Sequence, residues 1–196
     1  MMIYLVRHGQ TDWNLERRLQ GHLDMPLNET GRKEAKICGE QLLSNQIDNI
    51  ISSDLSRAKE TALIINDFLR VPITFDSRLR EINAGNLQGL LSENITEETW
   101  YIFNHEPHKL NAESLQDVYK RVKSFFEEID TTKNTLLVTH GGIIRMAMYL
   151  LQNPNSFNLS EYEEKFLKFK IKNTDVFQWN KQQIAKLIPD LDIITL

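Results

Sequence analysis

Residues 2–9 read MIYLVRHG, in which the apolar run 2–6 passes directly into Arg7-His8-Gly9. A short apolar run of this kind predicts a buried strand, and the change of polarity at Arg7 marks its end. The pattern returns at Thr135–Thr139, a second predicted strand, which is followed by His140-Gly141-Gly142. Ligands of open α/β sheets bind at the carboxyl ends of the strands. We therefore expect these two polar clusters, distant in the chain, to lie at the same edge of one sheet.

Outward from these two strands, predicted strands and helices alternate along the chain. Further strands are predicted at residues 49–52, 73–75, 165–171, 176–179 and 183–188, and helices at residues 31–43, 58–69, 113–129 and 142–151. Asn28 is the expected N-cap of the first helix, and Ser53 or Asp54 that of the second. Residues 83–111 keep no steady period and are interpreted as a long excursion with some helix inside. The alternation predicts an α/β fold, a three-layer α/β/α sandwich with a mostly parallel central sheet. The length fits a single domain over residues 1–196.

Composition and charge argue against several classes of protein. The net charge of −4, from 23 Lys and Arg against 27 Asp and Glu, does not suit a nucleic-acid binder, which usually carries a basic surface. The single cysteine, Cys38, rules out an intrachain disulfide and a multi-cysteine metal site. No apolar run approaches the roughly 20 residues that span a bilayer, so no membrane partner is expected. No basic leader precedes the first strand, which favours a cytoplasmic location.

Three polar clusters carry residues that could do chemistry: Arg7-His8-Gly9, Ser53-Asp54 with Arg57, and His140-Gly141-Gly142. Arginine offers a planar fork of donors that matches a phosphate group, and glycines before a helix let an anion approach the backbone. Histidine is close to neutral at cellular pH and can act as a nucleophile or as an acid and base. Each residue alone has a plainer explanation, because Arg57 could lie on a helix surface and His140 could cap a helix. Together, two arginines and two histidines suggest transfer of a phosphoryl group through a phosphohistidine.

These clusters lie in longer motifs that resemble those of the histidine phosphatase superfamily, which includes the cofactor-dependent phosphoglycerate mutases. In chain order the motifs are LVRHGQTDWN at 5–14, RLQGHLDMPL at 18–27, TG at 30–31, SSDLSRAKETA at 52–62, LREI at 79–82 and VTHGG at 138–142. They begin at the first strand and end in the helix after His140. So many motifs in family order make the resemblance specific.

The resemblance implies roles residue by residue. His8 would attack phosphorus, Glu81 would protonate the leaving oxygen and later deprotonate water, and His140 would hold the phosphoryl group and stabilise its charge. The phosphoryl oxygens would also be bound by Arg7, Asn14, Gln20, Gly21, Arg57 and Gly141. No metal or cofactor is implied, because the arginines neutralise the charge. The implied partner is a small phosphorylated metabolite. Whether the chain forms a homodimer stays open. The remaining histidines, His22, His105 and His108, are expected at the surface or at the substrate rim.

Two departures from the family pattern concern the substrate. After Glu81, members often carry Phe-Gly-x-Trp-Glu-Gly, whereas this chain has AGNLQG at 84–89. Before the helix at Leu115, members often carry Gly-Glu-Ser, whereas this chain has AES at 112–114. Mutases of the family carry extra sequence between the acid and that helix, so the short interval 82–112 favours a phosphatase.

We therefore predict hydrolysis of a small phosphomonoester, such as a sugar phosphate or a phosphoglycerate, through a phosphohistidine. A cofactor-dependent phosphoglycerate mutase, which would use 2,3-bisphosphoglycerate, is the first alternative. A non-catalytic binder of a phosphorylated ligand is the second. The aromatic residues of the excursion, Trp100, Tyr101 and Phe103, could cover the substrate or form a local core.

Overall fold

One sheet of five strands lies at the centre of the fold. The computed structural model describes residues 1–184, and every element named below lies in that range. The strands are β1 (Met2–Arg7), β2 (Asn49–Ser52), β3 (Ile73–Phe75), β4 (Thr135–Thr139) and β5 (Val176–Asn180). Their order across the sheet is β3-β2-β4-β1-β5, and neighbours are parallel except for β5, which runs antiparallel to β1. The prediction of a mostly parallel sheet is confirmed.

Eight α-helices are found within the described residues. They are α1 (Asp12–Leu15), α2 (Glu29–Leu42), α3 (Ser56–Leu69), α4 (Glu97–His105), α5 (Leu115–Glu128), α6 (Gly141–Gln152), α7 (Leu159–Lys165) and α8 (Lys181–Ile184). In this part of the chain, no helix combines the length and the apolarity that crossing a bilayer requires.

Side chains alternate along the central strands, so two apolar cores form on opposite faces of the sheet. On one face, Ile3 and Leu5 of β1 pack with residues of α5 and α6. On the other face, Tyr4 and Val6 of the same strand pack with residues of α2 and α3. Burial of both apolar faces beneath helices is the main stabilising contribution in such a fold. The three-layer α/β/α sandwich is therefore confirmed.

The predicted helix caps are right for α2 and wrong for α3. The side chain of Asn28 accepts a hydrogen bond from Gly31 N at 2.9 Å, as an N-cap does. At α3 the N-cap position is Leu55, and neither Ser53 nor Asp54 caps the helix. Asp54 forms an ion pair with an arginine, and Ser53 contacts a histidine described below. Both side chains are thus engaged at the carboxyl end of the sheet instead.

The predicted strand at residues 165–171 is wrong. Lys165 ends α7, and the residues after it follow an irregular path. Their alternation of apolar residues with lysines is typical of a strand, but β5 already occupies the edge of β1. Backbone carbonyls of this segment accept from side chains instead: Ile171 O from Arg7 at 2.5 Å and Phe169 O from Arg145 at 3.3 Å. The predicted strand at 183–188 is also wrong at its start, which belongs to α8, and residues 185–188 lie outside the described part.

Residues 83–111 form an excursion with a small apolar cluster of its own. Ala84, Leu87 and Ile95 are buried in it, and Trp100 and Phe103 of α4 pack against them. The excursion therefore has its own packing, which fixes α4 beside the site described next.

Candidate active site

The topology of the sheet brings the three polar clusters together. β1 and β4 are parallel neighbours with Arg7 paired to Thr139, so His8 and His140 follow the two strands side by side. Their ring centroids lie 5.1 Å apart. β2 pairs with the other edge of β4, and the chain after it carries Ser53 and, at the start of α3, Arg57.

A cavity of about 720 Å³ opens at this edge of the sheet. Seven of the residues expected from the sequence line it: Arg7, His8, Asn14, Gln20, Gly21, Arg57 and Glu81. His140 is fully buried against His8, and Gly141 is the first residue of α6. A Cβ on Gly141 would lie 3.6 Å from Arg7 Nε and 3.9 Å from Arg145 Nη1. The space over this glycine is therefore flanked by two guanidinium groups.

His8 is held in a state suited to nucleophilic attack. Its Nδ1 lies 2.7 Å from Gly9 O, and because a carbonyl can only accept, Nδ1 carries the proton. The lone pair of the neutral ring is then on Nε2. Burial lowers the pKa of His8 well below its ordinary value, and the positive charges of Arg57 and Arg7 lower it further. The ring is thus neutral at physiological pH.

His140 is fixed by Ser53. His140 Nε2 lies 2.9 Å from Ser53 Oγ, and both residues are fully buried. A buried hydroxyl needs an acceptor, so we assign the Ser53 proton to this contact, which leaves His140 with N–H at Nδ1. Within the described residues, that Nδ1 is buried and has no hydrogen-bond partner. Burial lowers the pKa of His140 well below its ordinary value, and the charge of Arg57 adds to this.

Arg57 and Arg7 both donate hydrogen bonds to backbone carbonyls. Arg57 is fully buried, and it donates to Leu23 O at 2.9 Å and to Gly21 O at 2.7 Å. Burial lowers its pKa to about 10, so it stays charged near neutral pH. Arg7 donates to Ile171 O. The Nε atoms of both arginines are buried and, among residues 1–184, find no partner in the protein.

Glu81 lies at the N-terminus of α6. Its Oε2 accepts from Gly142 N at 3.2 Å and its Oε1 from Ile82 N at 2.9 Å. The backbone carbonyl of Glu81 accepts from His22 Nε2 at 2.7 Å and from Arg121 Nη2 at 3.1 Å. The His22 ring thus supports the main chain of Glu81. This position is more specific than the surface or substrate rim expected from the sequence.

The other expected residues take different parts in the site. Asn14 Oδ1 accepts from Thr11 N at 3.1 Å and from Asn173 Nδ2 at 3.3 Å, so the Asn14 amide nitrogen is the donor left for a ligand. The carbonyl of Gly21 is used by Arg57, so this glycine acts through that arginine. Gln20 lines the cavity, and its Oε1 is buried without a partner in the described part of the chain.

Three further residues, Arg121, Glu113 and Asn173, support the site and were missed by sequence reasoning. Arg121 donates to the carbonyls of residues 78, 80 and 81 and pairs with Glu113 at 2.6 Å, which orders the segment that carries Glu81. Asn173 Nδ2 donates to His8 O at 2.9 Å. All three act mainly on backbone atoms or on one another, and no motif of chemistry-bearing residues marks such contacts.

Aromatic residues of α4 form part of the cavity wall. Trp100 and Phe103 line it, whereas Tyr101 is exposed and stacks on His105. The excursion thus supplies both local core and cavity wall. Across the described residues, no three His, Cys, Asp or Glu side chains are grouped so that they could hold a metal ion.

Comparison with known sequences points to one family. Residues 3–178 match the family model of the histidine phosphatase superfamily, branch 1. The chain is 42% identical over 150 residues to a Salmonella paratyphi A protein named probable phosphoglycerate mutase GpmB. That match covers 72% of this chain and 70% of the relative.

Solved structures of related proteins share the fold. A mycobacterial glucosyl-3-phosphoglycerate phosphatase, solved with VO3, superposes with a TM-score of 0.78 at 29% identity, over 91% of this chain and 90% of the other. A phosphoglycerate mutase from Thermus thermophilus gives a TM-score of 0.70 at 28% identity, over 92% and 94% of the two chains. The named neighbours thus include both a phosphatase and a mutase.

Proposed function

The chain belongs to the histidine phosphatase superfamily, and we propose that it is a phosphatase that hydrolyses a small phosphomonoester through a phosphohistidine at His8. The observation that carries this proposal is the set of unpaired donors beside His8. Arg7 Nε, Arg57 Nε and His140 Nδ1 are buried without partners in the described residues, and such groups are costly unless a ligand binds them. A phosphoryl group offers three oxygens to this set.

In the first step, the lone pair of His8 Nε2 attacks phosphorus, and the bond between phosphorus and the ester oxygen breaks. Glu81, in its protonated form, gives its proton to the departing oxygen, so the alcohol leaves neutral. The two arginines and His140 stabilise the charge that spreads over the phosphoryl oxygens. Fixed, buried donors need no reorganisation at that moment, which is why they are effective.

In the second step, water attacks the phosphohistidine. Glu81, now a carboxylate, accepts a proton from that water as the new P–O bond forms and the P–N bond breaks. Inorganic phosphate leaves, and His8 returns to its neutral form with the proton still on Nδ1. Each bond broken in the cycle is matched by one formed, and the cycle uses no metal or cofactor.

The test is hydrolysis of p-nitrophenyl phosphate with and without EDTA. We expect wild-type activity to resist EDTA and His8→Ala to abolish it, while His108→Ala, an exposed histidine, serves as the matched control. Activity that survives in His8→Ala would reject the assigned nucleophile. Activity lost to EDTA and restored by a divalent cation would reject the metal-independent mechanism.

A phosphoglycerate mutase is the second candidate, and the name of the Salmonella relative favours it. In a mutase, a second hydroxyl group takes the phosphoryl group from His8 in place of water. Incubation with 3-phosphoglycerate and 2,3-bisphosphoglycerate distinguishes the two, because a mutase forms 2-phosphoglycerate and a phosphatase releases inorganic phosphate. A non-catalytic binder, the third candidate, has no use for an acid placed like Glu81.

A further inference from the structure

A closed turn at residues 172–175 leads into β5 and lies against the end of β1. Its first and last residues are bonded to each other: Lys172 N donates to Asp175 Oδ2 at 2.7 Å, and Asp175 N donates to Lys172 O at 3.3 Å. An aspartate side chain that accepts from a nearby backbone N–H stabilises such a turn locally. The turn therefore has a fixed shape next to the strand that carries the proposed nucleophile.

One residue of this turn has a strained backbone. Thr174 has a φ of 55°, which lies in the left-handed region, and a β-branched residue is an outlier there. A conformation of this kind persists only where the surrounding contacts determine it, and it is found preferentially at functional sites. The contacts of the turn therefore show what the strain maintains.

The backbone of the turn is bonded to Arg7 at the end of β1. Thr174 N donates to Arg7 O at 3.1 Å, and Arg7 N donates to Asp175 O at 3.4 Å. The guanidinium group of Arg7 donates to Ile171 O, just before the turn. The strained residue is thus itself a donor to β1, and both backbone groups of Arg7 are held by the turn.

Asn173, the residue before Thr174, contacts the nucleophile directly. Its Nδ2 donates to His8 O at 2.9 Å and to Asn14 Oδ1 at 3.3 Å. Both partners are oxygens that only accept, so the orientation of the Asn173 amide is determined. On its other side, His8 N donates to Thr139 O at 2.9 Å. The backbone N–H and the carbonyl of His8 are therefore both anchored.

These anchors control the position of the attacking nitrogen. Two rotatable bonds join the His8 ring to its main chain, and Nδ1 is bonded to Gly9 O in the same segment. A shift of this main chain would thus carry the ring with it. Attack on phosphorus requires in-line geometry, and a misplacement of about 1 Å can slow a reaction about 100-fold.

We propose that the turn at residues 172–175 is a strained clamp on the end of β1, and that Asn173 is the positioning residue through which it fixes His8. Asn173 is not among the described residues that line the phosphoryl cavity, so it acts through the main chain of His8. The inference rests on the proposed function and deepens it, because it assigns a residue that controls the nucleophile of the same site.

The clamp should affect phosphoryl transfer far more than phosphate binding. Arg57 and His140 belong to other elements, and Asn14 keeps its bonds to Thr11 without Asn173. The donors that bind a phosphoryl group would thus remain in place when the nucleophile shifts.

Kinetics of Asn173→Ala with p-nitrophenyl phosphate test this separation. We expect kcat/KM to fall by roughly 10- to 100-fold, while the inhibition constant of inorganic phosphate changes by less than about twofold. Asn173→Asp keeps the shape of the side chain but turns a carboxylate oxygen toward two acceptors, so its kcat/KM should fall as well. Full activity in Asn173→Asp, or an equal loss of phosphate affinity in Asn173→Ala, would overturn the proposal.

Gln178→Ala is the matched control, because Gln178 is an exposed amide on β5 that lines neither described cavity. It should change neither constant. Thr174→Asn tests the strain, since asparagine adopts the left-handed region more readily than threonine. We expect a higher midpoint of urea denaturation in Thr174→Asn, and a lower midpoint would contradict the strain assigned to the clamp.

Hydrogen exchange of the His8 amide separates this inference from the proposed function, because it needs no turnover. We expect the amides of His8 and Gly9 to exchange about fivefold faster in Asn173→Ala, as for the loss of one ordinary hydrogen bond. If the wild type hydrolyses no phosphomonoester, the proposed function fails, and faster exchange would still support the clamp. Exchange as slow as in Gln178→Ala would reject the clamp, whatever the activity.

Discussion

Glu81 lies directly against Gly142, whose backbone N–H donates to Glu81 Oε2 at 3.2 Å. A Cβ at position 142 would overlap Glu81 Oε1. The acid can therefore occupy this place only because residue 142 is glycine. The glycines after His140 suggest space for an anion at a helix N-terminus, and at position 142 that space holds the side chain of the proposed acid.

Replacement of this glycine should impair proton transfer selectively. We expect Gly142→Ala to displace Glu81 and to lower kcat/KM for a sugar phosphate by roughly 100-fold, as for loss of a general acid. p-Nitrophenyl phosphate should lose much less, because nitrophenolate leaves without a proton. Glu81→Gln should show the same dependence on the leaving group. Equal losses for both substrates would contradict the role given to Glu81.

Ser53 should control the protonation site of His140. Removal of the hydroxyl in Ser53→Ala leaves His140 Nε2 without its partner, so the proton no longer prefers Nδ1. We expect kcat/KM to fall by about tenfold, the cost of one charge-assisted hydrogen bond to the phosphoryl group. Ser52→Ala is the control, because Ser52 is equally buried but donates to Ser53 O at 2.9 Å. Similar losses in the two variants would point to general damage instead.

The sequence predicted the meeting of the polar clusters at one edge of the sheet more accurately than it predicted the elements around them. Arg7 ends β1, and His8 and His140 directly follow β1 and β4. Parallel neighbouring strands place such residues at the same edge of the sheet. The strand at 165–171 was mispredicted for a simple reason. Alternation of apolar and polar residues shows that a segment could pair with a strand, but it does not show whether an edge of the sheet is free. β5 takes that edge. Contacts such as those of Arg121 are to backbone carbonyls, for which side-chain patterns give no signal.

Arg121 should matter for both stability and activity. Its partner Glu113 is largely buried with it, at 18% exposure for each side chain. We expect Arg121→Gln to lower the free energy of unfolding by about 3 kcal/mol, since it breaks a buried ion pair and leaves Glu113 uncompensated. Arg121→Gln should also lower kcat/KM. As for Gly142→Ala, the loss should be larger for a sugar phosphate than for p-nitrophenyl phosphate.

Lys120→Gln, one residue away on α5, is the control for Arg121. Lys120 is exposed and pairs with Asp117 at 3.5 Å, a surface contact of little energetic weight. Chemical denaturation of both variants measures the difference. An Arg121→Gln protein as stable as Lys120→Gln would contradict the stabilising role given to the ion pair between Arg121 and Glu113.

The buried histidines should make stability depend on pH. Burial and the nearby arginines lower the pKa of His8 and of His140 well below 6.5, the value expected in the unfolded chain. Between the folded and unfolded pKa values the unfolded state binds more protons, so the free energy of unfolding falls as the pH drops below about 6.5. The slope is at most about 1.4 kcal/mol per pH unit for each ring.

Urea denaturation between pH 7 and pH 5 measures this slope. His140→Gln should make it shallower, because one buried ring that resists protonation is gone. His108→Gln, a change at an exposed histidine, should leave it as in the wild type. An unchanged slope in His140→Gln would show that this ring is protonated as easily in the folded protein as in the unfolded chain.

The most direct measurement is to trap the phosphoenzyme. The protein is mixed with a ³²P-labelled phosphomonoester, quenched within milliseconds in alkali, in which phosphohistidine survives, and mapped by mass spectrometry. We expect one acid-labile phosphoryl group, attached to Nε2 of His8 and absent from His8→Ala. Label on any other residue, or hydrolysis that proceeds with no phosphoenzyme at any time point, would contradict the assignment of His8 as the nucleophile.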